Sequence, residues 1–522
     1  MPSSTEFAPA DTGRLPATLD ALVDEAARRW PGRIAVEHGD LRLTFGELRE
    51  RVLAVAASLR EPLRGRTAVL LFDNTPHCVV AFLALARNGA RVVPAEPGST
   101  RAQLEALGEE LGGVTVLGGP ERLAALGESA APGEDRERLV DVAERFTAAD
   151  TVDDASGAAR TAHATDDEPG ADRTADAPFL YQYSSGSTGA PKAAVHSQRN
   201  LVNGGRIYRE SFGYGPEDTV LTAVPLLHSF GLVAGLVTTL LTGARLVVLG
   251  RFTPAALLRE LERTEATVLV STPLACDLLV RAAGRCTIAV RPRLCLSSGA
   301  ALPPDTADRF ATRFGVTVSQ VYGCTEAGII ACQSGAHDGV GTPVAGVETR
   351  LVDDAGAPVP ISSAGSLWVR TPALFSGYLN RPEATAEVLV DGWYATGDVA
   401  RLDERGVLHL IGRKDTFINV GGKKVNPIEV ERVLLGHPAI AEAVVWGETQ
   451  PGGSERVRAA VVGSAPLTAE ELTRHCRERL QPHQVPGGVE FRTELPKTSS
   501  GKIRRAAVAA TATRSDQGGS HS

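Results

Sequence analysis

The chain has 522 residues, 43% hydrophobic and 22% charged, with a formal net charge of −8. This is the composition of a globular protein built as several units, and the acidic balance leaves no basic footprint for nucleic acid or an anionic membrane. The start, Met1-Pro-Ser-Ser-Thr-Glu-Phe, lacks the pattern of a signal peptide, and no long apolar run reads as a membrane span; the 7 scattered cysteines, without a CxxC pair, read as reduced thiols in the cytoplasm, with neither a zinc site nor a disulfide framework.

Residues 15 to 125 read as alternating α and β. Leu19–Ala27 has helical spacing, Ile34–His38 is a strand, and Thr44 with Glu47 forms a capping box that opens a second helix. Ala68–Phe72 reads as a buried strand, followed by a long apolar helix through Phe82–Ala86, and this alternation predicts a parallel sheet with covered faces. From about residue 148 to 177 the chain turns to Asp, Ala, Thr and Gly without periodicity, the composition of a disordered loop. The strand Phe179–Tyr183 follows, then strands at Thr219–Val224, Arg245–Leu249, Val268–Ser271 and Arg293–Ser297, with helices between them. Short strands marked by Gly and Pro from Gly339 to about Val399 predict a small β-rich subdomain. Beyond Arg413, helices at Pro427–Leu435 and Leu467–Leu480 and a strand at Ala441–Trp446 predict a separate compact unit. The tail from Thr513 reads as disordered.

Four stretches carry chemistry. In the first, the strand ending at Tyr183 empties into Ser184-Ser185-Gly186-Ser187-Thr188-Gly189, closed by Lys192. Small residues expose backbone N–H groups there, and hydroxyls and an ammonium complete a donor set suited to a polyphosphate. No glycine directly precedes Lys192, so this is not a Walker A loop, and a flexible linker is the alternative reading. The second is Gln320-Val-Tyr322-Gly323-Cys324-Thr325-Glu326: an aromatic face for a base, a hydroxyl for a phosphate and a carboxylate for Mg²⁺, or else ordinary strand–turn text. The third pairs Gly397-Asp398, able to accept from a ribose diol, with Arg413 of Gly412-Arg413-Lys414-Asp415. The fourth is the loop Pro496-Lys497-Thr-Ser-Ser-Gly501-Lys502. Nearly all the basic residues are arginine, and the lysines are confined to Lys192, Lys414, Lys423, Lys424, Lys497 and Lys502. An ammonium differs from a guanidinium in reach and geometry, so these positions point to places where arginine does not serve.

In this order and spacing the four stretches resemble the adenylate-forming (ANL) superfamily of acyl- and aryl-CoA ligases, peptide-synthetase adenylation domains and firefly luciferase. The resemblance runs from about residue 15 to 510. It implies a large amino-terminal AMP-binding domain of layered α/β sheets with a β-rich subdomain, residues 1–413, and a small mobile α+β domain, residues 414–512, before a disordered tail at 513–522. It also implies attack of a carboxylate on the α-phosphorus of ATP, giving an acyl-AMP and pyrophosphate. Lys502 would bridge the carboxylate and α-phosphate, the Ser184–Lys192 loop would hold the β- and γ-phosphates, and Mg²⁺ would sit on Glu326. Tyr322 would stack on adenine, with Gln320, Gly323 and the turn Gly299-Ala300-Ala301 around it, Thr325 on a phosphate, and Asp398 and Arg413 on the ribose. A hinge at Asp415 would then rotate the small domain, withdrawing Lys502 and bringing Gly421-Gly422-Lys423 to line a channel for a pantetheine arm.

By the same resemblance the acyl pocket draws on Pro225–Leu232, with His228, Ser229 and Phe230, and on Ser298, Gly299, Val321, Cys324, Ile329 and Ile330. His228 is placed to gate the carboxylate or simply to pack. Relatives that activate amino acids carry an aspartate near Ser229 for the substrate ammonium. Serine with no acidic sequence neighbour disfavours α-amino acids, because an unpartnered buried ammonium is costly. An aromatic or medium-length acyl acid fits. With no carrier domain after Lys502, coenzyme A is the expected acceptor; an amine or a separate carrier protein is the alternative, and a non-catalytic nucleotide-binding relative is a third reading.

Overall fold

The computed structural model describes residues 16–63, 65–126, 137–141, 175–184, 192–284, 290–334, 339–450, 455–497 and 503–517. The first helix, Leu19–Arg29, starts where the Thr18 hydroxyl accepts from Ala21 N–H. The second, Phe45–Leu63, opens at the expected capping box, in which Glu47 accepts from the Thr44 N–H and the Thr44 hydroxyl accepts from the Glu47 N–H.

Two large sheets dominate. One has nine strands in the order Thr342–Pro343, Gly328–Ser334, Val318–Cys324, Leu294–Ser297, Val268–Ser271, Thr219–Thr222, Arg245–Val248, Ile34–His38, Leu41–Thr44. The other has seven, in the order Gly377–Tyr378, Lys192–Ser197, Pro178–Ser184, Arg91–Ala95, Thr67–Leu71, Val114–Gly118, Glu137–Asp141. Both are parallel in the middle, as the strand–helix alternation predicts, and both acquire antiparallel edges that it does not predict.

Burial explains the continuous apolar text of the central strands. Val220, Leu246 and Val268 enter one core, together with Ala68, Leu70 and Val92 of the second sheet and the helices Leu19–Arg29, Phe45–Leu63, Pro76–Arg87 and Gln198–Phe212. Their neighbours Leu221, Val247 and Leu269 point to the opposite face, where they meet Leu257, Leu261, Leu279, Phe310 and Phe314 of three further helices. Alternate residues of one strand are thus buried on both sides, the condition for a parallel sheet in water.

The β-rich region forms a five-stranded sheet of Glu348–Val352, Ala364–Arg370, Leu389–Val390, Trp393–Leu402 and Leu408–Arg413. It therefore extends past Val399 to Arg413. The carboxyl-terminal part has a hairpin, Ile418–Val420 with Lys423–Val425, and a three-stranded sheet, Ile440–Thr449, Glu455–Gly463 and Gly488–Arg492, over the helices Pro427–Leu435 and Ala469–Arg477. One expectation is corrected here: residues 513–517 are helical, as the end of the helix Arg505–Gln517. Its alanine-rich sequence favours helix, and Val508 anchors it against Val444, Trp446 and Leu495. Of the expected loop 148–177, only 175–177 lie among the described residues.

Among the described residues, no helix is long and apolar enough to cross a membrane, and no disulfide forms.

Candidate active site

Because the strands Thr219–Thr222, Val268–Ser271, Leu294–Ser297 and Val318–Cys324 are mutually parallel, the loops after them share one edge of the sheet. That edge is where open α/β sheets bind ligands. It brings together Pro225–Phe230, the turn at Ser298–Ala301 and the Thr325–Glu326 turn. The Ser298 hydroxyl donates to the Val321 carbonyl at 2.9 Å, and Gln320 Oε1 accepts from Leu302 N–H at 2.6 Å. Gln320 thus closes the exposed turn Gly299-Ala300-Ala301 instead of offering that oxygen outward. Gly323 is required by close approach: a Cβ there would stand 2.2 Å from the Gly328 carbonyl oxygen across the hairpin.

Tyr322, Asp398 and Arg413 form one cluster. Asp398 and Arg413 are direct cross-strand neighbours in the five-stranded sheet, with Arg413 Nη1 3.9 Å from Asp398 Oδ1. The Tyr322 hydroxyl donates to Asp398 Oδ2. Burial first, and the Asp398 charge second, push the Tyr322 phenol well above its ordinary pKa, so it stays protonated and remains a donor. Arg413 Nε also donates to Asp415 Oδ1 at 3.1 Å, joining the cluster to the exposed residue expected at the hinge.

Glu326 and Lys192 form the second cluster. Glu326 is 7% exposed, and its Oε1 accepts from the Tyr378 hydroxyl at 3.0 Å. Lys192 Nζ stands 5.1 Å from the centroid of the same Tyr378 ring. The backbone of the Thr325–Glu326 turn is held from two directions. His196 Nε2 donates to the Thr325 carbonyl at 2.9 Å, and Phe375 N–H donates to the Glu326 carbonyl at 2.8 Å. Burial lowers the His196 pKa to about 4, so this ring is neutral at physiological pH.

No group of three or more His, Cys, Asp or Glu able to hold a metal occurs among the described residues. The residues present nevertheless suit Mg²⁺, which usually takes one or two protein carboxylates and completes its shell with substrate phosphates and water. One oxygen of Glu326, Oε1, is engaged by the Tyr378 hydroxyl, which leaves the carboxylate a second oxygen to offer.

On the acyl side, Gln182 Nε2 donates to the Leu227 carbonyl at 2.7 Å, and Asn74 Oδ1 accepts from Leu226 N–H at 2.9 Å, so the segment before His228 is held from two sides. Burial lowers the His228 pKa, opposed by the charge of Glu96 just beyond the strand Arg91–Ala95. Ser229 and Phe230 are half-buried, and Phe230 lies 6.4 Å from the Tyr208 ring. A π-helix, Gly231–Val237, follows at once, a form that recurs at functional sites. Val321, Ile329 and Ile330 are buried, and Cys324 is half-buried.

Several expected residues lie outside the described ones: Ser185, Gly186, Ser187, Thr188, Gly189 and Lys502, together with the side chain of Ser184. Gly421, Gly422 and Lys423 are exposed at the tip of the Ile418–Val425 hairpin. Gly421 and Gly422 have φ of 57° and 85°, the left-handed pair that a tight hairpin turn demands. Sequence reasoning missed Tyr378, Glu96 and His196. His196 is a lone histidine of the kind usually read as packed, and Tyr378 sits in Gly377-Tyr378-Leu379-Asn380, which offers no signal beyond a short strand before a turn.

Residues 23–379 match the family model described as AMP-binding enzyme, and residues 429–502 match that of the AMP-binding enzyme C-terminal domain. The chain is 32% identical over 500 residues to a feruloyl-CoA synthase of Amycolatopsis sp, covering 92% of this chain and 96% of the relative. Among solved structures it resembles ATP-bound MatB from Rhodopseudomonas palustris, with a TM-score of 0.83, 27% identity, and coverage of 95% of this chain and 99% of that one. It also resembles the O-succinylbenzoate coenzyme A synthetase MenE from Bacillus subtilis in complex with ATP and magnesium ion, with a TM-score of 0.78, 27% identity, and coverage of 93% and 98%. With residues 23–379 and 429–502 both matched, the chain belongs to the AMP-binding enzyme family.

Proposed function

We propose that the protein is an AMP-forming acid–coenzyme A ligase that activates an aromatic or medium-length acyl carboxylic acid and not an α-amino acid. The observation that carries this is that one short stretch, the strand Val318–Cys324 and the turn after it, joins two clusters: its Tyr322 meets Asp398 beside Arg413, and its Glu326 meets Tyr378 beside Lys192. The first suits a base and a ribose; the second suits a triphosphate. The feruloyl-CoA and O-succinylbenzoate relatives support an aryl acid and a coenzyme A acceptor.

In this reading Tyr322 stacks on adenine, and Asp398 with Arg413 holds the ribose diol. Lys192 and the loop before it hold the β- and γ-phosphates. The acid lies against Phe230, Val321 and Ile329 with its carboxylate toward His228, which burial keeps uncharged at neutral pH. A carboxylate oxygen attacks the α-phosphorus, the bond to the bridging oxygen breaks, and pyrophosphate leaves. Lys502 offsets the charge of the two anions as they meet. Mg²⁺ held by Glu326 supplies counter-charge on the phosphates. Asp415 then acts as the hinge between residues 1–413 and the mobile unit 414–512, and the Gly421-Gly422-Lys423 turn lines the path of the pantetheine arm, whose thiol displaces AMP. Ser229 offers no charge to a substrate ammonium, which supports a simple acid over an amino acid.

ATP–pyrophosphate exchange across aryl, fatty, dicarboxylic and amino acids tests the first half, and thioester formation on addition of coenzyme A tests the second. Exchange with one aryl or acyl class and a coenzyme A-dependent product is the expected result. Exchange only with amino acids would overturn the pocket assignment, and an acyl-AMP that ignores coenzyme A would overturn the acceptor.

A further inference from the structure

Tyr378 stands between the two groups assigned to the triphosphate. Its hydroxyl donates to Glu326 Oε1 at 3.0 Å, and its ring face carries Lys192 Nζ 5.1 Å from the centroid. An ammonium at that distance from an aromatic face is attracted by the ring quadrupole.

The backbone leaves this side chain little freedom. Tyr378 pairs with Ala194 on the strand that begins at Lys192, and its N–H donates to Thr385 Oγ1 at 2.9 Å. The residues just before it, in the same segment, clip that strand to the Glu326 turn: Ser376 N–H donates to the Val195 carbonyl, and Phe375 N–H to the Glu326 carbonyl, each at 2.8 Å. The ring is braced edge-on by Phe375 at 5.0 Å, which in turn meets Tyr394 at 5.3 Å.

We infer that Tyr378 is a positioning residue for the metal–triphosphate complex: its hydroxyl fixes the rotation of the Glu326 carboxylate, and its ring seats the Lys192 ammonium at a set distance from that carboxylate. The inference rests on the metal and phosphate roles proposed above for Glu326 and Lys192. A cation and an anion that grip the same triphosphate must each hold a set position, and one aromatic side chain touches both, the carboxylate through its hydroxyl and the ammonium through its ring. The phenol engages one carboxylate oxygen and leaves the other toward the metal.

Tyr378→Phe removes only the hydroxyl, and Tyr378→Leu removes the aromatic face as well. For each, ATP binding is measured by calorimetry over a range of Mg²⁺ concentrations, alongside AMP binding, which involves no β- or γ-phosphate, and the unliganded unfolding temperature. In Tyr378→Phe the Mg²⁺ concentration for half-maximal ATP binding should rise about 3- to 10-fold, the size expected for a lost hydrogen bond to a charged group. AMP affinity should be unchanged. In Tyr378→Leu, ATP binding should also weaken without metal. Equal weakening of ATP and AMP would reduce Tyr378 to a structural residue and overturn the inference. Glu326→Ala is the benchmark: if it shifts the Mg²⁺ dependence and Tyr378→Phe does not, the role of Tyr378 fails while the metal site stands. If Glu326→Ala itself has no effect on Mg²⁺ dependence, the metal assignment fails and the inference falls with it.

Discussion

The Tyr322 hydroxyl donates to Asp398 Oδ2 at 2.5 Å, across 76 residues of sequence. The residue proposed to face adenine therefore holds the residue proposed to grip the ribose, and the cross-strand Arg413 approaches the other oxygen of the same carboxylate. On the roles proposed above, the groups for the nucleoside would be arranged before ATP arrives. Tyr322→Phe keeps the stacking face and releases the carboxylate. The KM for ATP should rise about 3- to 10-fold, the effect of one charge-assisted hydrogen bond, with kcat little changed. Initial rates over a range of ATP concentrations check this, and an unaltered KM would remove Tyr322 from ribose positioning.

Acid should weaken the Thr325–Glu326 turn through His196. This ring is fully buried and neutral, with a pKa lowered from 6.5 to about 4 chiefly by burial. The unfolded chain binds a proton at this residue below about pH 6.5 while the folded chain refuses it until about pH 4, so stability rises with pH across that window. The contribution is present above pH 6.5 and falls away on acidification, by roughly 3 kcal/mol at the acid limit. Denaturant midpoints from pH 4 to 7.5 should fall more steeply for the wild type than for His196→Gln, and parallel curves would count against His196.

Lys502 and Asp415 should separate the two half-reactions. Lys502→Ala should slow pyrophosphate exchange by about 10²- to 10³-fold, the usual loss for one charge-stabilising group, while leaving thioester formation from supplied acyl-AMP nearly intact. Asp415→Pro locks one backbone torsion where the chain passes from the strand Leu408–Arg413 to the hairpin Ile418–Val425. It should do the reverse, sparing exchange and blocking thioester formation. Equal losses in both steps for both variants would contradict rotation about this segment.

Glu37 should matter to stability and not to chemistry. Its side chain is fully buried on the strand Ile34–His38, with Arg263 Nη1 at 2.6 Å, Arg245 Nη1 at 3.1 Å and Arg42 Nε at 3.3 Å. Removing the anion leaves guanidinium groups crowded without their counter-charge. Glu37→Gln should destabilise the large domain by about 3 kcal/mol, read from denaturant unfolding, with KM and kcat preserved at low temperature. A shift under about 0.5 kcal/mol, the range of ordinary surface substitutions, would show that the arginines relax into water.

The linear text by itself determined the strand–helix alternation, the capping box at Thr44, the four chemical stretches and, from their order, membership of the family, because each of these is local in sequence. Periodicity reports which face of a strand or helix is apolar, and a motif reports which groups stand close along the chain. It reports nothing about what two distant segments do when they meet. Tyr378 and Glu326 are 52 residues apart, and no spacing rule links them; the pairing of Gly377–Tyr378 onto the strand Lys192–Ser197, with the Phe375 N–H bond to the Glu326 carbonyl, brings them together. The helix Arg505–Gln517 has a local cause, its alanine-rich sequence, but no periodic face, so the place where it docks through Val508 was not legible in the sequence. Tertiary structure likewise decided that Gln320 closes its own turn and that His196 holds the Thr325–Glu326 turn, because a hydrogen bond forms with whichever partner the fold delivers within about 3 Å.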